Sequence, residues 1–446
     1  MAGRMTKEGH MHRSRAALAV MVMILAAACT GTGVDQTPEG DASGGQLRGT
    51  ISFMVFGDPE ELAAYRQLID AFEEAEPDIT VELVETSDRD DLIARLSTAF
   101  SGGVPPDLFL MNYRYYGQFY VKDVLVPLRS YLDSSEVFGA DDFYPQAMEA
   151  FQEDGQQICM PQNISSLVVY YNKDLFDEAG LAYPEDGWTW GDFLAKAQAL
   201  TEDADGDGVT DQYGVGMDPE IIRLAPFIWS SGGELVDDVN DPTQFTLFTP
   251  EAITTMQNFF DLHAVHGVAP GEEELESEDT ETRFLNGSLG MVFSSRRDTP
   301  SFRTITDFDW DVAALPRRGQ PAGILHSDAY CLTTASEHKD AAWRFVEFAL
   351  GPEGAPIVAA SGRTVPSLIE VANSDAFLDP SLKPANSEVF LETIPVIRRV
   401  PTISTWPEIE DAANALLELG FFEGAPAAEI AEQLVETTKP IFARAE

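Results

Sequence analysis

An acidic loop in the middle of the chain has the residue spacing of a calcium site. Carboxylates and one backbone carbonyl occur at every second position of the loop: Asp203, Asp205, Asp207, Val209 and Asp211. Ca²⁺ binds about six to eight oxygen atoms, and Gly208 stands where such a loop turns sharply. Gly214 occupies the position that usually carries a bidentate Glu. The spacing therefore predicts a structural Ca²⁺ site completed by other ligands or water, with a solvated acidic turn as the alternative.

Aromatic and planar polar side chains occur together in one short segment, residues 112–116. The segment contains rings, an amide and a guanidinium group, in the order Asn112, Tyr113, Arg114, Tyr115 and Tyr116. Aromatic rings can cover the apolar face of a sugar, and planar polar groups can bind its hydroxyls. The segment therefore indicates a binding site, and the alternative is the start of an amphipathic helix with half-buried tyrosines.

Two arginines further along the chain are candidates for the same kind of site. Arg297 and Arg363 suit a ligand with a carboxylate or phosphate, or pairs of sugar hydroxyls. The chain contains 75 Asp and Glu against 28 Lys and Arg. Pairing of each arginine with nearby carboxylates is therefore the alternative.

The familiar catalytic motifs are absent from the sequence. It contains no G-x-S-x-G, Walker loop, H-E-x-x-H or G-x-G-x-x-G. Pairs of carboxylates for glycoside hydrolysis carry little information in so acidic a chain. We therefore expect a protein that is not an enzyme, and the alternative is a surface-anchored, calcium-stabilised glycosidase.

The composition excludes one class of partner. The chain has 446 residues and a formal net charge of −47. Nucleic-acid binding depends on clustered Lys and Arg, so we expect no nucleic-acid partner. The 44% of apolar residues is enough to build hydrophobic cores.

The N-terminal residues have the pattern of an export signal. Basic residues precede an apolar run that is too short to cross a membrane, so residues 1–28 are predicted to be a signal peptide. The run ends in Leu-Ala-Ala-Ala-Cys, which resembles a bacterial lipobox with Cys29 as the lipidated residue. Cleavage at an ordinary site is the alternative. Residues 29–47 are polar and aperiodic and predict a flexible tether to an extracytoplasmic membrane surface.

The segments after the tether alternate between strand and helix patterns. Apolar runs predict strands at 50–56, 79–84 and 107–111, separated by helices with one apolar face. This alternation is typical of parallel β-α-β units in an α/β fold. Ligands of such sheets bind at the carboxyl ends of the strands, which places the candidate site after residues 55 and 111. Residues 323–332 predict one further strand.

Several segments in a fixed order resemble one protein family. They are Pro106–Leu110, Leu167–Phe176, Trp188–Phe193, Ser231–Leu235, Phe284–Met291 and Ala341–Phe348. Their order, together with the lipobox, is similar to that of the carbohydrate-binding, maltose-binding-protein-like solute-binding proteins of ABC importers. The resemblance implies a two-lobed periplasmic-binding-protein type II fold, crossing hinge strands, a ligand cleft, permease subunits as partners and a monomer.

The resemblance also implies how the chain divides. Lobe I would comprise residues 48–160 and 323–375, and lobe II residues 161–322 and 376–446. Crossing strands would lie near residues 157–162 and 323–331. Because these strands are neighbours in the family, the resemblance places Cys159 and Cys331 close enough for a disulfide, with two buried thiols as the alternative.

Four more residues match cleft-lining positions of the family: Asp58, Ser165, Trp229 and Trp406. They join the candidates Asn112, Tyr113, Tyr115, Arg297 and Arg363. Ser165 stands where maltose-binding protein has a Glu, and Arg296-Arg297 where that protein has an aromatic platform. These differences argue against maltose, so the resemblance predicts another carbohydrate ligand. The alternative is that the same fold binds a non-sugar solute, a sugar acid or a sugar phosphate.

Overall fold

A computed structural model describes residues 47–445. The predicted signal peptide, the lipidation site Cys29 and all of the predicted tether except its last residue lie outside the described residues. Within the described part of the chain, no helix combines the length and the apolar character needed to cross a membrane.

The strands of the described residues are β1 Gly49–Phe56, β2 Ile79–Thr86, β3 Leu108–Asn112, β4 Gln152–Glu153, β5 Gln156–Gln157, β6 Met160–Pro161, β7 Val168–Asn172, β8 Tyr213–Gly216, β9 Leu289–Ser294, β10 Trp310–Ala313, β11 Gly323–Ile324, β12 Asp328–Leu332 and β13 Ile397–Arg398. Three 3₁₀ turns lie at Ala140–Asp142, Arg296–Asp298 and Ile394–Val396.

The α-helices of the same residues are α1 Pro59–Ala75, α2 Arg89–Gly102, α3 Tyr113–Tyr120, α4 Arg129–Ser134, α5 Pro145–Glu149, α6 Lys173–Glu178, α7 Trp190–Ala199, α8 Ile221–Ser230, α9 Pro250–Ala264, α10 Glu272–Ser277, α11 Thr280–Leu285, α12 Thr299–Phe302, α13 Lys339–Leu350, α14 Ala355–Ala360, α15 Ile369–Ala372, α16 Asp375–Leu378, α17 Glu388–Glu392, α18 Trp406–Phe421 and α19 Ala427–Phe442.

The first sheet has five strands in the order β2-β1-β3-β12-β6. β1 runs parallel to β2 and β3, as the alternation of strands and helices predicts. β12 runs antiparallel to β3 and β6. Helix α1 follows β1. Residues 59–75 form a helix because Pro59 suits its first turn and Tyr65, Leu68 and Phe72 recur on one buried face. The carboxyl ends of β1 and β3 therefore lie side by side.

The second sheet has four strands in the order β10-β7-β9-β8. β7 pairs antiparallel with β10 and β9, and β8 pairs parallel with β9. A group of aromatic rings packs on this sheet, in which Tyr170 contacts Phe302 at 5.0 Å and Trp310 at 5.8 Å between ring centroids. These ring contacts fix β7 against β10. The residues that follow Ser294 lie at the carboxyl end of β9.

The predicted single strand at 323–332 is two strands that belong to different sheets. β11 pairs with β13, whereas β12 joins the first sheet. Between them, His326 exchanges two backbone hydrogen bonds of 2.9 Å with Ser165. The backbone therefore stops pairing with β13 and begins to pair with β3 on the two sides of His326.

The two cysteines of the described residues meet in the first sheet, where β6 pairs with β12. Cys331 lies on β12, and Cys159 directly precedes β6. The structure joins them in a disulfide with a Cα–Cα distance of 4.5 Å. The described residues form one compact unit around both sheets. The division into residues 48–160 with 323–375 and 161–322 with 376–446 stays a prediction.

Candidate functional site

A cavity of about 320 Å³ lies where the ends of several strands converge. β1 and β3 end at it, β9 reaches it from the second sheet, and the chain between β11 and β12 also lines it. Its walls come from residues 56–58 with Glu61, 87–90, Asn112 with Arg114, Asn163 with Ser165, 295–297, His326 with Asp328, and 363–365. Because both sheets contribute, a ligand here would contact both at once.

Five of the predicted site residues line this cavity. They are Asp58, Asn112, Ser165, Arg297 and Arg363. Asn112 ends β3, where the rule that ligands bind at the carboxyl ends of strands placed it, and Asp58, which the resemblance supplied, lies two residues after β1.

Arg363 forms the centre of one charged cluster in the wall. Its Nη1 lies 2.7 Å from Asp58 Oδ2, and its guanidinium also pairs with Glu61 on α1. Burial raises the pKa of Glu61 to about 7, although Arg363 opposes this shift. Burial disfavours the charged form of Glu61, and the nearby carboxylates of Asp328 and Asp58 add to this effect. The structure thus supports the alternative for Arg363, in which carboxylates of the protein occupy its donors.

Arg114 forms a second buried pair. Its Nη1 binds Glu410 on α18, and each side chain is only 7% exposed. Asn112 Oδ1 accepts hydrogen bonds from the backbone N–H of Arg114 at 3.2 Å and from its Nε at 3.3 Å. Asn112 thereby caps α3 and orients Arg114 along the cavity wall.

His326 places an unpartnered nitrogen at the cavity. Its Nε2 is buried and has no hydrogen-bond partner among the described residues. Burial, together with the guanidinium groups of Arg114, Arg223 and Arg297, lowers the pKa of His326 to about 3. The imidazole is therefore neutral near pH 7, and Nε2 can exchange a hydrogen bond with a ligand.

The aromatic candidates lie elsewhere, and their predicted place in the cavity is corrected. Tyr113 and Trp406 are 0% exposed, Trp229 is 2% exposed and Tyr115 is 8% exposed. Tyr113 accepts a hydrogen bond from the backbone N–H of Val400, and Trp406 Nε1 donates to Glu410. These rings are hydrophobic side chains in a large core, which buries more apolar surface than a polar cleft would.

Trp229 and Tyr115 each have a guanidinium group over the ring. Arg398 lies 4.8 Å from the ring centroid of Trp229, and Arg89 lies 4.6 Å from that of Tyr115. The amphipathic-helix alternative for residues 112–116 is therefore the one that the structure supports for the tyrosines.

Several residues that line the cavity were not predicted from the sequence. They are Glu61, Ser87 to Asp90, Asn163, Ser295, His326, Asp328 and Thr364. The turn at residues 87–90 follows β2, so the strand-end rule could have located it. His326 and Asp328 had no such signal, because the break between β11 and β12 is visible only in the fold.

The acidic loop brings three of its aspartates together. The carboxylate oxygens of Asp203, Asp205 and Asp211 lie within 4.8 Å of one another, and all three residues are exposed. Asp203 accepts hydrogen bonds from the backbone N–H groups of Gly206 and Gly208 at 2.8 and 2.9 Å. These hydrogen bonds define the turn without the help of an ion.

The remaining positions of the predicted calcium loop are Asp207, Val209 and Gly214. Asp207 is not in the group of three, and its Oδ1 accepts from the N–H of Val209 at 2.8 Å. A Cβ on Gly214 would lie 1.9 Å from the Ala197 carbonyl oxygen, so no Glu fits at that position. The oxygen donors suit Ca²⁺, and the missing ligands must be waters or groups outside this set.

Comparison with known proteins agrees with this architecture. The model of the family described as bacterial extracellular solute-binding protein matches residues 57–356. A putative binding protein of Brucella abortus is 26% identical over 382 residues, which cover 81% of this chain and 86% of that protein. An arabinooligosaccharide-binding protein of Halalkalibacterium halodurans is 27% identical over 217 residues, 46% of this chain and 45% of its own.

Solved structures share the fold over nearly the whole chain. An ABC substrate-binding protein from Listeria monocytogenes in complex with cycloalternan superposes with a TM-score of 0.81 and 26% identity, covering 89% of this chain and 99% of that one. A maltose-bound T. maritima protein superposes with a TM-score of 0.75 and 19% identity, covering 88% and 99%. The chain therefore belongs to the bacterial extracellular solute-binding proteins, the substrate-binding components of ABC importers, and has their two-lobed α/β fold.

Proposed function

We propose that this protein captures a carbohydrate in the cavity between its two sheets and delivers it to permease subunits without chemical change. The observation that carries the proposal is the convergence of strand ends from both sheets on one polar cavity. Carboxylate, amide and guanidinium groups of this kind bind sugar hydroxyls. Relatives that bind cycloalternan and an arabinooligosaccharide support the choice of ligand class.

Ligand capture would proceed by hinge closure at the crossing segments. The chain passes between the sheets before β7 and again around His326, where its backbone pairs with Ser165. Rotation at a few such positions could open and close the cavity without disturbing either sheet.

We further propose a signal peptide at residues 1–28, a lipid anchor at Cys29 and a monomeric mature protein. Fatty-acid labelling that persists in Cys29→Ala would refute the anchor, and light scattering would refute the monomer by showing a dimer.

Calorimetry against a panel of neutral and acidic oligosaccharides, combined with analysis of the sugar afterwards, tests the proposed function. We expect at least one saccharide to bind with a Kd in the micromolar range or below and to be recovered intact. Released monosaccharide would favour the glycosidase alternative. Absence of binding by every saccharide would contradict the proposed ligand class.

We also propose that Ca²⁺ binds the acidic loop and stabilises the fold. The proximity of the Asp203, Asp205 and Asp211 carboxylates supports this, because an ion would relieve their mutual repulsion. A ligand that binds only the folded state raises the melting temperature, and we expect a rise of about 2–4 °C in millimolar Ca²⁺ relative to chelator.

The melting temperature of Asp203→Asn should respond to Ca²⁺ much less than that of the wild type. Asp186→Asn, an exposed aspartate outside the loop, is the matched control and should keep the full response. Equal melting temperatures of the wild type in Ca²⁺ and in chelator would contradict a stabilising site.

A further inference from the structure

Two consecutive arginines enter the cavity directly after β9. Arg297 leaves 57% of its side chain exposed, and its ion-pair partner is Asp298, whose Oδ1 lies 3.3 Å from its Nε. Most of the guanidinium donors of Arg297 therefore face the cavity and solvent. Segment 295–297 brings two positive charges and no carboxylate to the cavity wall.

Arg296 is a buried cation without an acidic partner. It is 1% exposed and forms no ion pair with any carboxylate of the described residues. Its Nε donates to the Gly362 carbonyl oxygen at 2.7 Å and its Nη1 to Ser387 Oγ at 3.1 Å. The guanidinium carbon lies 4.8 and 5.0 Å from the ring centroids of Phe377 and Phe390. These contacts hold the group in place without neutralising it.

The absence of a carboxylate at Arg296 is informative in this chain. Acids outnumber bases 75 to 28, so an acidic partner was available in abundance. A buried charge that stays unpaired is costly, and burial lowers the pKa of Arg296 to about 9. Arg296 therefore adds a positive charge without a carboxylate to the wall beside the exposed Arg297, and this charge favours a negative group in the cavity.

Two other arginines of the cavity wall are paired within the protein: Arg363 binds Asp58 and Glu61, and Arg114 binds Glu410. Arg89 has only a distant carboxylate, Asp90 at 3.9 Å, and its buried Nε has no hydrogen-bond partner among the described residues.

The remaining acids of the wall have neutral partners. Asp328 Oδ2 accepts from Asn163 Nδ2 at 3.2 Å, and Asp88 Oδ1 accepts the Asp91 backbone N–H at 2.8 Å. Of the described arginines that line the cavity, Arg296 alone has no carboxylate within ion-pair distance, and Asp328 and Asp88 bring hydrogen-bond acceptors to the same cavity.

We propose that the saccharide bound here carries an acidic substituent, that Arg297 binds it, and that the buried charge of Arg296 in the wall beside it favours the same negative group. A carboxylate, a sulfate ester and a phosphate ester share the chemistry required, because each offers two oxygens to planar guanidinium donors. Asp328 and Asp58 would accept hydrogen bonds from the hydroxyls of the same ligand. This inference rests on the proposed carbohydrate function.

The test compares matched acidic and neutral sugars on the full chain. Calorimetry would use digalacturonate, a sulfated disaccharide and glucose 6-phosphate, each beside its neutral counterpart. We expect one acidic sugar to bind at least about 10-fold more tightly than its counterpart, and the best of the three identifies the substituent. Arg297→Gln should remove most of that preference, and Arg297→Lys should retain part of it.

Arg66→Gln is the matched control, because Arg66 is 53% exposed and pairs with Glu85 outside the cavity. It should leave both affinities unchanged. Arg296→Gln serves as a second variant after its melting temperature has shown that it folds.

Two results would overturn the inference. If neutral sugars bind as tightly as acidic ones, or if Arg297→Gln weakens both equally, the acidic substituent is refuted and the carbohydrate function stands. If no saccharide of either kind binds the wild type, both proposals fail together.

Discussion

Replacing Arg114 by Met is expected to lower the free energy of unfolding by about 3–5 kcal/mol. The substitution leaves the Glu410 carboxylate buried and without its cation, since both side chains are only 7% exposed. The nearest remaining donor is Trp406 Nε1, at 3.0 Å from Glu410 Oε2, and it carries no charge. Urea unfolding followed by circular dichroism would measure the loss.

A second substitution separates the lost charge pair from lost packing. Adding Glu410→Gln to Arg114→Met removes the unpaired charge and should recover a large part of the stability. Arg95→Met is the control, because Arg95 is 54% exposed and forms a surface pair with Asp91; we expect it to change stability by less than about 1 kcal/mol. If Arg114→Met is as stable as this control, the buried pair contributes nothing to the fold.

Trp406→Ala is expected to destabilise the protein by about 3–5 kcal/mol, because it empties a large volume in the core. Trp406 is 0% exposed, and its ring packs against Phe245 and Phe442 at 6.1 and 6.5 Å between centroids. The sequence-based interpretation of Trp406 as a sugar platform predicts the reverse, a stable protein that no longer binds. Thermal unfolding and ligand calorimetry on the same variant decide between the two.

Trp406→Phe should recover much of the stability, since it refills part of the space. Phe248→Ala is the matched surface control, because Phe248 is 51% exposed, and it should fall within about 0.5 kcal/mol of the wild type. A Trp406→Ala protein as stable as Phe248→Ala would contradict the core position.

The elements of the first sheet were predictable because local patterns determine them. Apolar runs marked β1, β2 and β3, and the helices between them have apolar residues on one face. Helix α2 ends at Gly103, whose left-handed backbone, at a φ of 73°, suits glycine. The site residue Asn112 followed from a strand end, and Asp58 followed from the family resemblance at the end of β1.

The interior of the site was less predictable. An aromatic residue after a strand suits a sugar platform and a core equally well, so Tyr113 and Trp406 were assigned to the wrong environment. The break at His326 depends on which strands flank residues 325–327, and those strands come from distant parts of the chain.

The sequence by itself determined the charge balance, the strand and helix order, the acidic loop and the strand ends that point to the cavity. Only the tertiary structure decided which arginines are available to a ligand. Arg363 and Asp58 are 305 residues apart, and Arg114 and Glu410 are 296 apart, so no spacing could reveal those pairs. In the sequence alone, nothing distinguishes Arg296 and Arg297 from Arg363 and Arg114. They differ because the fold brings carboxylates to Arg363 and Arg114 and brings none to Arg296.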